Sequence, residues 1–77
     1  MHPYQKEMLE KALEHREKEI IEYQVNIDNF RLAIERIGND ADLAEFKERL
    51  KTLLAENTLE QKKSQVILDV IKLQLGV

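Results

Sequence analysis

The stretch Pro3–Ile37, PYQKEMLEKALEHREKEIIEYQVNIDNFRLAIERI, decides the fold. Within it Leu9, Leu13, Arg16, Ile20, Tyr23, Ile27, Phe30, Ile34 and Ile37 follow one another at alternating steps of four and three, the spacing that keeps side chains on one seam of a helix. Only Arg16 is not apolar. A second set, Ile21, Val25 and Leu32, lies well around the helix from that seam, with Asp28 interrupting it. A helix packed on one partner and wet on its back would be polar there, so two apolar faces imply two covering surfaces.

The ends of this helix are marked. Pro3 has the fixed φ and missing N–H that suit a first helical position, behind His2, a weak N-cap. Gly38 can take a positive φ without a Cβ penalty, and Arg36 suits the negative end of the dipole, so the helix is expected to stop at Ile37. Between them Glu7 with Lys11 and Glu14 with Lys18 stand in the favourable i,i+4 order.

Gly38-Asn39-Asp40 is the strong interior punctuation. Asn39 or Asp40 can cap a following helix, and Asn39 with Asp42 resembles a capping box with a shortened acid. A connection of residues 38–40 makes the next helix, about residues 41–75, double back as an αα-hairpin. Its own seam reads Leu43, Phe46, Leu50, Leu53, Asn57, Glu60, Ser64, Ile67, Ile71 and Gln74. Laid antiparallel, this puts Leu43 opposite Ile34, Phe46 opposite Phe30, Leu50 opposite Ile27, Leu53 opposite Tyr23 and Asn57 opposite Ile20. Glu60 then meets Arg16, the misfit of the first seam, which predicts a polar register lock. In a rival reading Glu56-Asn57-Thr58 breaks the chain, and Thr58 with Gln61 caps a third helix over residues 59–75.

The run Val66 to Leu75 is the most apolar in the chain, yet the hairpin sets it beside the polar half of the first helix. Val66, Val70 and Leu73, with Leu68 and Leu75, are therefore expected to be under-covered. Length points the same way. A chain of 77 residues is a single domain, 1–77, near the size at which one core supplies only about 3 to 5 kcal/mol without staples. With no cysteine there is no disulfide and no thiolate, so a second copy is the expected source of further burial. The fold expected is all-α: a long antiparallel helical hairpin, with coiled-coil spacing, dimerising into a four-helix bundle.

Composition narrows the function. Charged residues make up 35% and aromatics 5%, a balance of long helices. A net charge of −3 gives no electrostatic reason to expect a nucleic acid or an anionic membrane as partner. The N-terminus has no apolar core of a signal peptide and no stretch approaches a membrane span, so a cytoplasmic location is expected.

No motif carries chemistry. His2 and His15 are the imidazoles, and His15 stands in neither a His-Glu-x-x-His nor a Glu-x-x-His pattern, so no metal site is expected. Ser64, the single serine, has no histidine near it in the expected register, and the two glycines are too far apart to cradle a phosphate, so no catalytic residue and no cofactor are expected. The carboxylates alternate with lysines on a wet face where nothing raises a pKa. Lys47, Arg49, Lys51, Lys62 and Lys63 are diluted by Glu45, Glu48 and Glu60.

The function expected is that of a small non-enzymatic protein–protein interaction module: a homodimeric regulator, inhibitor or assembly adaptor of the kind found among phage and plasmid accessory proteins. A small dimeric helical nucleic-acid-binding regulator is the alternative. Tyr23, Ile27, Phe30, Phe46 and Leu50 are the expected intrachain core. Ile21, Val25, Leu32, Val66, Val70 and Leu73 are the expected intermolecular surface.

Overall fold

A computed structural model describes the chain from Met1 to Val77. Helix α1 spans Pro3–Ile37 and helix α2 spans Ala44–Leu75, with a 3-10 turn at Ala41–Leu43 between them. They form an antiparallel hairpin of 59 × 16 × 14 Å. No helix is long and apolar enough to cross a membrane.

The helix ends fall where side-chain chemistry places them. His2 caps α1 better than its residue type suggests, its Nδ1 accepting from the Tyr4 N–H at 3.1 Å. Gly38 closes α1 at φ 58° and ψ −124°, the mirror image of extended backbone and not the left-handed helical region, while its N–H donates to the Ile34 carbonyl. Lys47 reaches back to donate to the Gly38 carbonyl at 2.6 Å, placing a positive charge at the negative end of α1. At the far end Gly76, φ 76°, and Val77 donate to the carbonyls of Leu73 and Lys72, the double bond pattern of a Schellman closure.

The connection is longer than residues 38–40. Asp40, not Asn39, supplies the cap, accepting from the Asp42 N–H at 3.0 Å and winding Ala41–Leu43 into a tight turn before α2 begins. That extra turn shifts the register. Ser64, not Glu60, stands at Arg16; Gln61 meets Ile20 and Gln24; Asn57 meets Asn26. The displacement from the expected pairing is four residues at Arg16, about 6 Å along the axis.

The seam of α1 is the one its sequence predicts. Ile27 is buried, and Leu9, Leu13, Arg16, Ile20, Tyr23, Phe30, Ile34 and Ile37 are half-buried. On α2 half of the expected seam holds: Leu50, Ser64 and Ile71 are buried, and Leu53 and Asn57 are half-buried. The other half moves by one residue. Lys47, Gln61, Leu68 and Leu75 turn inward in place of Phe46, Glu60, Ile67 and Gln74, and Leu54 is half-buried beside Leu53, leaving Phe46 51% exposed and Ile67 40%, with Leu68 at 5%. Phe46 is thus outside the core and Leu68 inside it, reversing both expectations.

The physical reason lies in the misfits. Lys47, Leu54, Gln61, Leu68 and Leu75 offer as many apolar side chains as Phe46, Leu53, Glu60, Ile67 and Gln74, so burial alone does not choose. Gln61 satisfies its amide across the seam on the Ile20 carbonyl at 3.3 Å and the Gln24 Oε1 at 2.9 Å. Lys47 extends along the seam to the Gly38 carbonyl. A Glu60 carboxylate in the seam would need its charge paired there, and Glu60 instead stays outside on Lys63 at 3.0 Å.

Helix α2 is unbroken through residues 56–58, so there is no third helix. Asn57 Nδ2 and Thr58 Oγ1 donate back to the carbonyls of Leu53 and Leu54, both at 2.8 Å, so the Thr58 hydroxyl that would cap a new helix is turned onto the preceding one.

Candidate functional site

The six side chains expected at an intermolecular surface are all exposed, from 48% at Val70 to 80% at Leu73. They form two patches. Ile21, Val25 and Leu32 lie on the back of α1 in its half nearer the turn, divided by Asp28, which accepts from Gln24 at 2.9 Å. Val66, Val70 and Leu73 lie on the back of α2 near the open end, divided by Asp69, which accepts from Gln65 at 2.9 Å. The observed register sets the patches about 20 Å apart along the axis. Leu59, 54% exposed, extends the second patch one heptad toward the turn, a spacing legible in the sequence once Val66 and Leu73 are taken as its anchors.

A further apolar line is masked in the sequence because its spacing is that of the seam. Phe46 and Ile67 are exposed and Leu53 half-buried, seven residues apart or a multiple of seven, along one flank of the α2 seam. Two helices close a single seam; α2 is apolar on both flanks of the line Leu50, Asn57, Ser64 and Ile71. That width of apolar face belongs to bundle helices, which bury a third position beside the two of a two-stranded coil.

The middle of the hairpin is polar. The Arg16 guanidinium donates from Nη1 to Glu19 Oε2 at 3.2 Å and to Ser64 Oγ at 3.3 Å, and the Tyr23 hydroxyl donates to Glu19 Oε1 at 3.2 Å. His15 Nε2 lies 3.7 Å from the same carboxylate. Burial pushes the Tyr23 phenol above its ordinary 10.0, and the Glu19 hydrogen bond and charge push the same way. Ser64 is 2% exposed, and its cross-helix neighbour is a guanidinium, which donates and accepts no proton. The cluster gives the buried Ser64 hydroxyl a partner and ties the two helices together at that height. No three His, Asp or Glu side chains converge as metal ligands would.

The basic residues of α2 are partly spoken for. Lys47 is on Gly38, Lys51 on Glu48 at 3.0 Å and Lys63 on Glu60 at 3.0 Å, so the stripe presents paired charge more than free cation. These features together define a helical hairpin whose seam leaves apolar surface outside it. Compared with known protein families, curated proteins and solved structures, the chain matches none of them.

Proposed function

We propose that this protein is a non-enzymatic helical interaction module that works in the cytoplasm as a homodimer. Two hairpins pair along their long axes, and the apolar patches left on the helix backs dock on a target protein, as a regulator, inhibitor or assembly adaptor would. One observation carries the reading. The hairpin exposes 5967 Å², whereas a compact protein of 9.1 kDa exposes about 4,900 Å². The surplus, about 1,100 Å², is on the scale of the roughly 800 Å² that each partner contributes to a standard interface. Large apolar side chains share in that exposed surface: Ile21, Val25, Leu32, Phe46, Val66, Val70 and Leu73 are all about half exposed or more.

Sedimentation equilibrium over a concentration series tests it. The expected species has about twice the chain mass of 9.1 kDa at micromolar concentration; a monomer at every concentration up to about 100 μM overturns the homodimer. A gel shift with structured RNA and with duplex DNA distinguishes the nucleic-acid alternative. No shift is expected, and one that weakens steeply with salt would replace the proposal.

A further inference from the structure

Two cross-helix hydrogen bonds mark the two broad sides of the hairpin. Asn26 Nδ2 donates to Asn57 Oδ1 at 3.2 Å on one, and Gln61 Nε2 donates to Gln24 Oε1 at 2.9 Å on the other. Heptad steps extend each side along its helix. The Asn26 side carries Ala12, Glu19 and Ala33 of α1. From α2 it takes the residues four before and three after Asn57, Leu53 and Glu60, and their repeats Phe46 and Ile67. The Gln24 side carries Glu10, Glu17 and Arg31 with Lys51, Thr58, Gln65 and Lys72. One side carries apolar residues on both sides of a polar middle, with Gln5 and Gln74 at its open end; the other is polar over nearly all its length.

We infer that a second copy of this chain seats on the Asn26 side, face to face, with the two turns at opposite ends of the resulting bundle. The inference rests on the homodimer reading and adds the face and the orientation. The area fits, since a broad side of 59 × 16 Å covers about 900 Å², close to what each partner of a stable dimer buries. The occupant fits because the face is self-complementary. With the turns opposed, Phe46 comes toward the partner's Ile67, Leu53 comes toward the methylene stem of the partner's Glu60, whose carboxylate is held on Lys63, and Ala12 comes toward the partner's Ala33, where two small side chains let the α1 backbones approach. Glu19 then faces the partner's Asn26, an amide that can donate to the carboxylate. Turns at the same end would instead set Glu19 against the partner's Glu60, like charges meeting at two places in the centre of the face.

The test uses the full chain. Phe46→Glu and Ile67→Glu, both at exposed positions of the single hairpin, should each weaken the dimer more than about tenfold in sedimentation equilibrium while far-UV circular dichroism stays helical. Thr58→Glu and Gln65→Glu, on the opposite side, should leave the dissociation constant within about threefold. The native chain has no cysteine, so a mixture of Ala12→Cys and Ala33→Cys chains reads orientation directly. Opposed turns give a disulfide between the two kinds of chain on oxidation; turns at one end hold those sites about 30 Å apart and give none. A wild-type monomer would sink the homodimer reading and this face together. A wild-type dimer that survives Phe46→Glu and Ile67→Glu would sink the face alone, and one whose Ala12→Cys and Ala33→Cys chains form no mixed disulfide would sink the orientation. Should a glutamate variant lose its helicity, the cross-linking result decides.

Discussion

Leu68→Ala tests how α2 is turned about its own axis. Leu68 is buried, whereas its neighbour Ile67, which simple seam reading puts inside, is 40% exposed. Cutting a buried leucine to alanine costs about 2 to 5 kcal/mol, through the lost transfer energy and the cavity left behind. A chain of this length is held together by only about 4 to 12 kcal/mol. At roughly 4 to 8 °C per kcal/mol for a domain of this size, the melting temperature should fall by about 10 °C or more. Ile67→Ala removes side-chain surface that is already partly wet and should cost about 1 kcal/mol in the separate hairpin. Both variants are melted by circular dichroism at 222 nm over a dilution series, and the effects are compared in the dilute limit. That limit matters because Ile67 also lies on the proposed association face, where its contribution grows with concentration by mass action. An Ile67→Ala loss equal to or larger than that of Leu68→Ala at high dilution would refute the inward placement of Leu54, Gln61, Leu68 and Leu75.

Three further outcomes are expected. Arg16→Ala strands the Ser64 hydroxyl and should cost about 1 to 3 kcal/mol in urea unfolding, while Ser64→Ala added to it costs little more, a coupling that a double-mutant cycle reads. Gly38→Ala forces a side chain onto φ 58° and should cost about 1 to 3 kcal/mol in the same assay with the helices otherwise unchanged. Tyr23 holds its proton more tightly folded than unfolded, so the unfolded chain binds fewer protons once the pH passes the ordinary phenol value. The stability due to Tyr23 is therefore complete below about pH 10 and is lost as the pH rises through its elevated folded pKa. Melting curves taken upward from pH 9 should fall more steeply for the wild type than for Tyr23→Phe, and parallel curves would contradict the assignment.

The legible parts of the fold were those where one solution dominated. In α1 the long apolar line from Leu9 to Ile37, broken only by Arg16, outweighs the short set of Ile21, Val25 and Leu32 as the inner face, and Gly38 admits one stopping point; both stand in the structure as read. In α2 Leu50, Asn57, Ser64 and Ile71 are flanked by apolar residues on both sides, so the inner flank depends on where Gln61, Lys47 and Glu60 can place their polar ends. That is a three-dimensional question which spacing does not pose. Register was lost for a smaller reason, because Asp40 commits three residues to a capped turn where Asn39 would have started the helix at once. The exposed patches were legible as apolar positions off the seam, while the line of Phe46, Leu53 and Ile67 was masked by its resemblance to a seam.

The antiparallel course has a mechanical consequence. Met1 and Val77 emerge side by side, remote from the Gly38 turn, so tension between them loads the cross-helix layers in series and not in parallel. Such a molecule opens like a zip, first at Leu9 and Leu75, then past the Arg16–Ser64 layer, with the turn last to give. Each layer yields at low force, and a clamp on the open end, such as the Phe46 end of a second chain's face, would stiffen it far more than a clamp at the turn.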